Sequence, residues 1–434
     1  MAYSIDTRTL RPGDTYVAIV GETHDGHDFV GRAVEKGATR IIVERGVEVP
    51  PDVEVEVVPS TLLALTERAC AHVSAVQPRT VAITGSVGKT STRAAVVAVL
   101  SEAFDVVASE GNLNTPLGLS LTLLNREITP ESVLVLEMGA RLPGDLADLC
   151  ALFPPTVSVV TTVKAVHTET LDSIEGVAHE KAQLVRSLRP DGTAVLNGDD
   201  PRTRAMAGQH AGRTILYGTS EGCEVTPEML PPALPIFGTH AASNAMAAVA
   251  VGRALGMDRR TIHRGLQAIR PEKGRLARLP GRDGLALLDD SYNASPDATV
   301  ASLDALAALP ASRRIAFLGD MLELGSAEAE GHAQVLAHAL ALTDFVHAVG
   351  PRFAAAAADL PAAVRERLTL HEASATLADE IRAGRVYVPA AGDAALVKGS
   401  QGLRMERVAE ALLHPDVDPA SVLARQSAAW KAIP

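Results

Sequence analysis

Gly85, Gly88, Lys89 and Thr90 have the types and the spacing of a compact phosphate-binding loop. Backbone N–H groups in such a loop, together with the N-terminus of a following helix, can bind phosphate oxygens. The lysine supplies positive charge to the outer phosphates, and the threonine hydroxyl can bind Mg²⁺. The run Val81–Thr84 predicts a strand before the loop, and a helix is expected to open at Thr90. A strand before and a helix after are the context that the motif requires.

The longer Walker form of this motif is not fully met, because its first glycine would fall at Ile83. A glycine-rich turn that ends in Lys-Thr by chance is the alternative. The predicted strand and helix favour a phosphate loop. We therefore expect a nucleotide to contact seven consecutive residues: Gly85, Ser86, Val87, Gly88, Lys89, Thr90 and Ser91.

Two polar residues follow two further predicted strands. Glu137 comes directly after Val133–Leu136, and His167 follows Val157–Val163. Open α/β sheets bind ligands at the carboxyl ends of their strands. A carboxylate there can hold the Mg²⁺ that Thr90 also contacts. His167 becomes a candidate ligand for a second metal ion. The alternatives are a solvent-facing glutamate and a surface histidine.

Lysine and asparagine side chains on two predicted helices are weaker candidates. Lys181 lies within the predicted helix Ile174–Leu188, and on its own it is more typical of a solvated helix face. His240 and Asn244 are spaced i, i+4, so they share one face of a helix, which suits contact with a base or ribose. A helix cap is the alternative for this pair.

Two polar loops follow strands in the last third of the chain. Asp289, Asp290 and Asn293 belong to the loop DDSYNASP, which follows the predicted strand Leu285–Leu288. A dense polar loop at the carboxyl end of a strand is typical of ligand binding. The cluster KGSQG, residues 398–402, follows a strand that ends at Val397 and could contact an acidic substrate. A turn with a solvated lysine is its alternative.

Strand and helix patterns alternate along the chain and must position these residues. The alternation predicts α/β structure with mostly parallel sheets and covering helices. We divide the chain into three units, residues 1–77, 78–270 and 271–434, with a hinge at Gln77-Pro78 because the residue before proline resists helix. Residues 219–236 are expected to be a short connection. We expect strands at Val386–Val388 and Leu396–Val397, and ordinary helix in the alanine-rich region 353–380.

Composition excludes several classes of protein. A length of 434 residues suits two to four domains. A net charge of −12 argues against a general nucleic-acid binder, which would present a basic face. Three cysteines without CxxC spacing argue against a zinc site and fit a reducing compartment. No run of about 18 apolar residues occurs. We therefore expect a cytoplasmic protein without membrane insertion. We also expect a monomer.

Seven segments, in order, together resemble the Mur ligase family, in particular its MurF-type branch. The resemblance runs from Ser4 to about Leu413. The segments are TGSVGKTST (84–92), EGNLNTPLG (110–118), LEMGA (136–140), FGTHAASNAMAA (237–248), DDSYNASPDA (289–298), LGDMLELG (318–325) and LVKGSQGLRME (396–406). The stretch 4–38 resembles the family's UDP-binding domain.

The resemblance implies a small α/β UDP-binding domain, a central P-loop ATPase domain and a C-terminal Rossmann-like domain. It implies an ATP-dependent peptide ligase that adds D-Ala-D-Ala to a UDP-MurNAc-tripeptide through an acyl phosphate, in peptidoglycan precursor synthesis. ATP and two Mg²⁺ ions would be required. The small-molecule substrates would be the UDP-sugar peptide and D-Ala-D-Ala.

The resemblance also implies roles residue by residue. Lys89, Lys181 and His167 would be catalytic. Thr90, Glu137, His167 and a carbamylated Lys181 would hold metal ions, because a carbamate turns the lysine cation into a metal-binding anion. Asn244, Arg275 and Asp290 would contact adenine, ATP phosphate and ribose. The substrate-binding residues would be Thr7, Arg8, Asn112, Asn114, Thr115, Asn293, Lys398, Ser400 and Arg404.

The chain departs from the family pattern in its trimmed first unit, in Ala241 after His240, and in the short 219–236 connection. Two alternative functions remain, the first of them because of the trimmed first unit and the short connection. One is a MurF-like paralogue that joins a different acid and amine in a specialised pathway. The other is a non-catalytic, nucleotide-binding regulatory protein.

Overall fold

Strands and helices alternate along the chain, and the strands form three separate sheets. The structure is a computed structural model that describes residues 2–21, 24–164, 168–236, 238–358 and 360–431. The α/β class that the sequence predicts is confirmed. In the described residues, no helix is both long and apolar enough to cross a membrane.

The first sheet is built from the N-terminal residues and is parallel throughout, in the order β1-β2-β3-β4. Its core packs Tyr16, Ile41 and Val43 against α1. At the end of this unit, Gln77 closes α2 in the left-handed conformation with φ 54°, directly before Pro78. The elements are β1 (Tyr3–Ser4), β2 (Thr15–Val17), α1 (Val30–Glu35), β3 (Arg40–Val43), β4 (Glu54–Val57) and α2 (Thr61–Val76).

The middle sheet has six parallel strands in the order β10-β9-β8-β5-β7-β6. Strands β5, β7 and β8 are almost wholly buried, as expected for a parallel sheet covered on both faces. The elements are β5 (Arg79–Thr84), α3 (Lys89–Leu100), β6 (Val106–Ala108), α4 (Pro116–Leu124), β7 (Val133–Glu137), α5 (Asp145–Leu152), β8 (Val157–Val160), α6 (Thr168–Leu171), α7 (Ile174–Arg186), β9 (Thr193–Asn197), α8 (Pro201–Arg204), β10 (Arg213–Tyr217), α9 (Thr239–Ala254) and α10 (Arg259–Ala268).

The third sheet has the order β11-β12-β16-β13-β14-β15, and only the β11–β12 pair is antiparallel. The elements are β11 (Ala277–Pro280), β12 (Ala286–Asp290), α11 (Pro296–Ala307), β13 (Arg313–Gly319), α12 (Glu328–Leu342), β14 (Phe345–Val349), α13 (Pro351–Ala356), α14 (Ala362–Arg365), β15 (Leu368–His371), α15 (Ser374–Arg382), β16 (Asp393–Lys398), α16 (Glu406–Leu412), α17 (Pro419–Val422) and α18 (Ala428–Lys431).

Strand β5 lies at the point where the middle sheet changes direction. Strands β7 and β6 lie on one side of β5, while β8, β9 and β10 lie on the other. Ligands of open α/β sheets bind at the carboxyl end of the strands at such a switch point. The loop after β5 is the predicted phosphate loop, so the topology places that loop where a ligand is expected.

The third sheet differs from two sequence-based expectations. The predicted strand Val386–Val388 is wrong: these residues are irregular, and Tyr387 instead packs its ring near Phe317 and donates its hydroxyl to Asp393 at 2.8 Å. The alanine-rich region is not continuous helix, because β15 interrupts it and pairs with β14. Sheet pairing overrides the local helix preference of alanine there.

Candidate active site

The loop after β5 passes very close to the strand-end segment 161–164. Gly85 has φ +145°, and a Cβ atom there would lie 1.9 Å from the Thr161 hydroxyl oxygen. The Ser86 N–H donates to the Thr162 carbonyl at 2.8 Å, and the Lys164 N–H donates to the Ser86 hydroxyl at 2.9 Å. The loop conformation is therefore fixed by its neighbours, and glycine is required at position 85.

Helix α3 begins at Lys89, with Gly88 as its N-cap at φ +88°. The Lys89 ammonium group donates to the Gly85 carbonyl at 2.7 Å and lies 3.4 Å from the Ser86 carbonyl. Burial lowers the pKa of Lys89, and the nearby Arg275 acts in the same direction, while Glu137 opposes them. An anion at this helix N-terminus would be stabilised by both the lysine and the helix dipole.

Thr90 and Glu137 lie side by side beneath the loop. The Thr90 hydroxyl donates to Glu137 Oε2 at 2.9 Å, and the Asn114 amide donates to Oε1 at 3.1 Å. Glu137 is only 2% exposed. A hydroxyl and a carboxylate are hard oxygen donors that suit Mg²⁺, so these two residues fit one metal ion next to bound phosphates.

The sequence reasoning missed Arg93, which is buried one turn along α3 from Lys89. Its guanidinium group lies 3.7 Å from Glu137 and donates to the Gly111 carbonyl at 3.1 Å. Its other terminal nitrogen forms an ion pair with Glu272 in the linker to the third sheet. An arginine on a helix is usually solvated, and only the strand packing around it shows that this one faces inward.

Lys181 lies in α7 and is 2% exposed, so the solvated-face alternative is wrong. Burial, with a smaller contribution from Lys89, lowers the pKa of Lys181 to about 7. In the described part of the chain, no hydrogen bond or ion pair reaches its ammonium group. The neighbouring Glu180 accepts from the N–H groups of Gly144 and Leu146 at 2.9 and 2.8 Å, which ties α7 to the start of α5. Position 181 is thus held rigidly.

The second metal ligand of the prediction, His167, lies outside the described residues. Among the residues that are described, no three His, Cys, Asp or Glu side chains cluster as a metal site. A Mg²⁺ ion bound by Thr90 and Glu137 would take its remaining ligands from phosphate oxygens and water, as Mg²⁺ does at nucleotide sites.

Asn244 of α9 lies against the phosphate loop. Its side-chain oxygen accepts from the Thr92 hydroxyl at 2.9 Å, and a Cβ atom at Gly88 would lie 3.3 Å from that oxygen. Ser91 is half-buried in the same turn of α3. The predicted adenine-contacting residue is thus adjacent to the loop, and the contact with adenine itself stays a prediction.

Arg275 approaches the same site from the linker between the middle and third sheets. Its guanidinium carbon lies 4.1 Å from the centre of the Tyr292 ring, a cation–π distance. Its Nε is buried and makes no hydrogen bond to a described residue. Burial is the main cause of the lowered pKa of Lys89, and the positive charge of Arg275 makes a smaller contribution in the same direction.

Asp290 and Lys398 form a buried ion pair. Lys398 Nζ lies 2.5 Å from Asp290 Oδ2 and 3.0 Å from the Asn293 carbonyl. Asp290 also accepts from the Ser302 hydroxyl at 2.7 Å and the Leu276 N–H at 3.0 Å. Three predicted site residues, Asp290, Asn293 and Lys398, thus lie together. The ion pair between Asp290 and Lys398 joins the neighbouring strands β12 and β16.

Ser400 and Arg404 lie in the loop after β16 and are also buried. The Ser400 hydroxyl accepts from the Leu322 N–H at 2.8 Å, which holds the loop after β13. Arg404 Nε donates to Glu406 at 2.5 Å. Both side chains therefore have partners within the protein, and their predicted contact with an incoming amine stays a prediction.

A cleft of about 350 Å³ separates the first sheet from the middle sheet. Its walls include Asp6 and Thr9 on one side and Glu110 and Leu113 on the other. The predicted UDP-sugar residues lie in these same two segments. In the first segment, Thr7 is buried, while Arg8 is exposed and pairs with Asp6. In the second, Asn112 and Thr115 are exposed, and Asn114 contacts Glu137. The cleft is thus lined by neighbours of the predicted UDP-sugar residues on both sides.

The fold and the site define a class: a three-sheet α/β protein with a P-loop at the switch point of its middle sheet. Three family models match the chain: "Mur ligase family, catalytic domain" over residues 2–83, "Mur ligase middle domain" over residues 83–252 and "Mur ligase, glutamate ligase domain" over residues 274–401. The chain belongs to the Mur ligase family, which confirms the resemblance inferred from its motifs.

Named relatives and solved structures agree with this membership. A UDP-N-acetylmuramoyl-tripeptide–D-alanyl-D-alanine ligase of Synechocystis sp. is 35% identical over 348 residues, 78% of this chain and 76% of that protein. MurF from Acinetobacter baumannii has a TM-score of 0.81 and 26% identity, covering 94% of this chain and 92% of that one. MurF from Thermotoga maritima, solved in complex with ADP, has a TM-score of 0.79 and 27% identity, covering 94% and 96%.

Proposed function

We propose that this chain is an ATP-dependent ligase that adds D-Ala-D-Ala to a UDP-MurNAc-tripeptide in peptidoglycan precursor synthesis. The observation that carries the proposal is the match to MurF proteins across all three sheets, including one solved with ADP. That match spans both the phosphate loop and the third sheet, so it covers the nucleotide half and the acceptor half of the site. We propose that the reaction takes place in the cytoplasm, and we expect a monomer.

The reaction activates a carboxylate, which is otherwise a poor electrophile. The γ-phosphoryl group of ATP passes to the terminal carboxylate of the tripeptide, giving ADP and an acyl phosphate. The amine of the dipeptide then attacks the acyl carbon. A C–N bond forms, the C–O bond to phosphate breaks, and inorganic phosphate leaves as the amine proton is released.

In this proposal, the phosphate loop binds ATP through its N–H groups and Lys89. Lys89 now donates to carbonyl oxygens of its own loop, so the anionic phosphates would replace weaker acceptors. Thr90 and Glu137 would hold one Mg²⁺, which offsets negative charge on the phosphates when bound. Arg275, which lies close enough to lower the pKa of Lys89, would contact the terminal phosphate.

Lys181 has the properties that carbamate formation requires. Only a neutral amine adds CO₂, and a pKa of about 7 leaves much of this side chain neutral near physiological pH. We propose that its carbamate, together with His167, holds the second Mg²⁺. Asn244 would contact adenine, and Asp290 would lie near the ribose. The cleft beside Asp6 and Leu113 would hold the UDP-sugar.

The proposal is tested with purified protein, UDP-MurNAc-tripeptide, D-Ala-D-Ala, ATP and Mg²⁺. We expect phosphate release that needs both the acid and the amine, and a product whose mass equals both substrates minus water. A Lys89→Met variant, purified in the same way, is the control for contaminating ligases. Phosphate release at the level of that variant would refute the proposal. ATP binding without product from any acid and amine pair would indicate a regulatory protein instead.

A further inference from the structure

The C-terminal residues cross the loop that follows β12. We call residues 419–430 the C-terminal strap. The strap starts with α17 and continues through Arg425, which has φ +56°, to Trp430. The guanidinium carbon of Arg425 lies 5.7 Å from the centre of the Trp430 ring, and that of Arg404 lies 5.5 Å from it. The strap thus packs Leu423 into the apolar core of the third unit and places Arg425 and Trp430 next to Arg404.

Arg425 is the anchor of the strap. Its side chain is 5% exposed and donates to the backbone carbonyls of Ser291, at 3.2 Å, and Tyr292. It also lies 3.4 Å from the carboxylate of Glu406, which is 1% exposed. Charge-assisted hydrogen bonds inside a protein are stronger and more directional than exposed ones. Arg425 therefore fixes the backbone of the loop at Ser291 and Tyr292.

Tyr292 connects Arg425 to Arg275. The guanidinium carbons of Arg425 and Arg275 lie 4.8 and 4.1 Å from the centre of its ring. The Tyr292 N–H donates to the Gly274 carbonyl at 3.1 Å, and a Cβ atom at Gly274 would lie 3.0 Å from that nitrogen. Since the buried Nε of Arg275 has no hydrogen bond to a described residue, its stacking on Tyr292 sets much of its orientation.

A second contact joins the strap to the same linker. Lys273 Nζ donates to the Ala420 carbonyl at 2.7 Å. The residues on both sides of Gly274 are therefore held by the strap, Lys273 directly and Arg275 through Tyr292. The contact of Lys273 is exposed, so it is weaker than the buried contacts of Arg425.

We propose that Arg425 is a positioning residue for nucleotide binding: through Tyr292, the strap holds Arg275 in the orientation in which it contacts the terminal phosphate of ATP. This inference rests on the proposed function, because the role of Arg275 toward ATP is part of it. Arg425 contacts the backbone of the loop after β12 and is not itself predicted to contact ATP. Its effect should therefore depend on the presence of Arg275.

A double-mutant cycle with Arg425→Met and Arg275→Met tests this dependence. The readout is the dissociation constant of a non-hydrolysable ATP analogue with Mg²⁺, measured by calorimetry, which requires no ligase turnover. We expect Arg425→Met alone to weaken binding about tenfold, a change of about 1.4 kcal/mol. We expect almost no further weakening when it is added to Arg275→Met. In the ligase assay, the KM for ATP should rise with little change in the KM for D-Ala-D-Ala.

Lys431→Met is the matched control, since Lys431 is the next cation along the chain and its ion pair with Glu410 is exposed. It should leave the dissociation constant unchanged. If Arg425→Met does not fold, Arg425→Lys replaces it in the same double-mutant cycle. The lysine keeps the positive charge but not the planar guanidinium group, so we expect a smaller loss of affinity for the ATP analogue. Equal weakening with and without Arg275, or no weakening of a folded variant, would overturn the inference. A wild-type protein that binds the analogue but forms no product would instead refute the proposed function.

Discussion

The buried ammonium group of Lys181 leads to a prediction in which stability and activity change in opposite directions. We expect Lys181→Met to raise the free energy of unfolding of the substrate-free protein and to remove its ligase activity. The methionine keeps a side chain of similar length, while the cation, which pairs with no described residue, is lost. If the role of Lys181 were structural, the variant would instead be less stable and would keep its ligase activity.

The size of the effect follows from the pKa. Burial lowers the pKa of Lys181 from 10.5 to about 7, and the side chain is only 2% exposed. At 1.36 kcal/mol for each pH unit, the ammonium form costs up to about 5 kcal/mol in the folded state. Because the folded-state pKa is the lower one, the unfolded state binds more protons between pH 7 and 10.5, so stability rises with pH across that window. The penalty is about 4 kcal/mol at pH 7 and about 1 kcal/mol at pH 10.

Urea unfolding of wild type and Lys181→Met in CO₂-free buffer measures this penalty. We expect the variant to be more stable by about 2–4 kcal/mol at pH 7 and by about 1 kcal/mol or less at pH 10. Lys36→Met, at an exposed lysine, is the control and should show no such difference. A variant that is less stable than wild type at pH 7, or one with the same gain at both pH values, would refute the reasoning.

The second part of the prediction concerns the ligase activity that depends on Lys181. Degassed wild-type enzyme should lose activity and regain it when bicarbonate is added, because in the proposed function the carbamate, and not the free amine, would hold the second Mg²⁺. Lys181→Ala should lose most activity, and a short-chain carboxylate should partly restore it. Full activity of Lys181→Ala, or wild-type activity that is indifferent to CO₂ at every pH tested, would exclude the carbamate.

Three further changes test other parts of the structure. Glu137→Gln keeps the size of the side chain beside Thr90 but removes its charge. We therefore expect kcat to fall at least about 100-fold while the thermal midpoint of unfolding changes little. A rate near that of the wild type would exclude a metal-binding role for Glu137. Gly85→Ala should destabilise the protein by about 1–3 kcal/mol and abolish nucleotide binding, since its Cβ would lie 1.9 Å from Thr161; calorimetry with wild-type affinity would contradict this. Burial lowers the pKa of His347 to about 4, so the unfolded state binds the extra proton and stability should fall by about 2 kcal/mol from pH 7 to pH 5. His347→Phe should remove that loss in denaturant unfolding, and an unchanged pH dependence would show that another group causes it.

Local sequence pattern was enough to predict that the phosphate loop and Glu137 lie together at one edge of the middle sheet. The phosphate loop and Glu137 each follow a buried strand directly, and parallel strands present their carboxyl ends at one edge. Strand, loop and helix follow one another within a few residues there, so no long-range pairing has to be known. The same reasoning gave the end of α2 before Pro78.

Contacts between segments that are far apart in the sequence could not be predicted from the sequence alone. Asp290 and Lys398 were predicted as separate ligand residues, but β12 and β16 are neighbours in which these two residues are directly opposite. Strand order between segments more than 100 residues apart leaves no local signal. Arg93 was missed for the same reason, since its partner Glu272 belongs to the linker beyond α10.

The linker between the middle and third sheets contacts candidate site residues on both sheets. Glu272 pairs with Arg93, which also lies 3.7 Å from Glu137, while the Leu276 N–H donates to Asp290. A ligand that draws Glu137 toward a metal ion changes the charge facing Arg93 and, through it, Glu272. Arg275 lies between Glu272, which is held by Arg93, and Leu276, which is held by Asp290. We therefore expect that it cannot move toward a phosphate independently of both sheets. We therefore expect residues 272–276 to couple nucleotide affinity to the relative position of the two sheets.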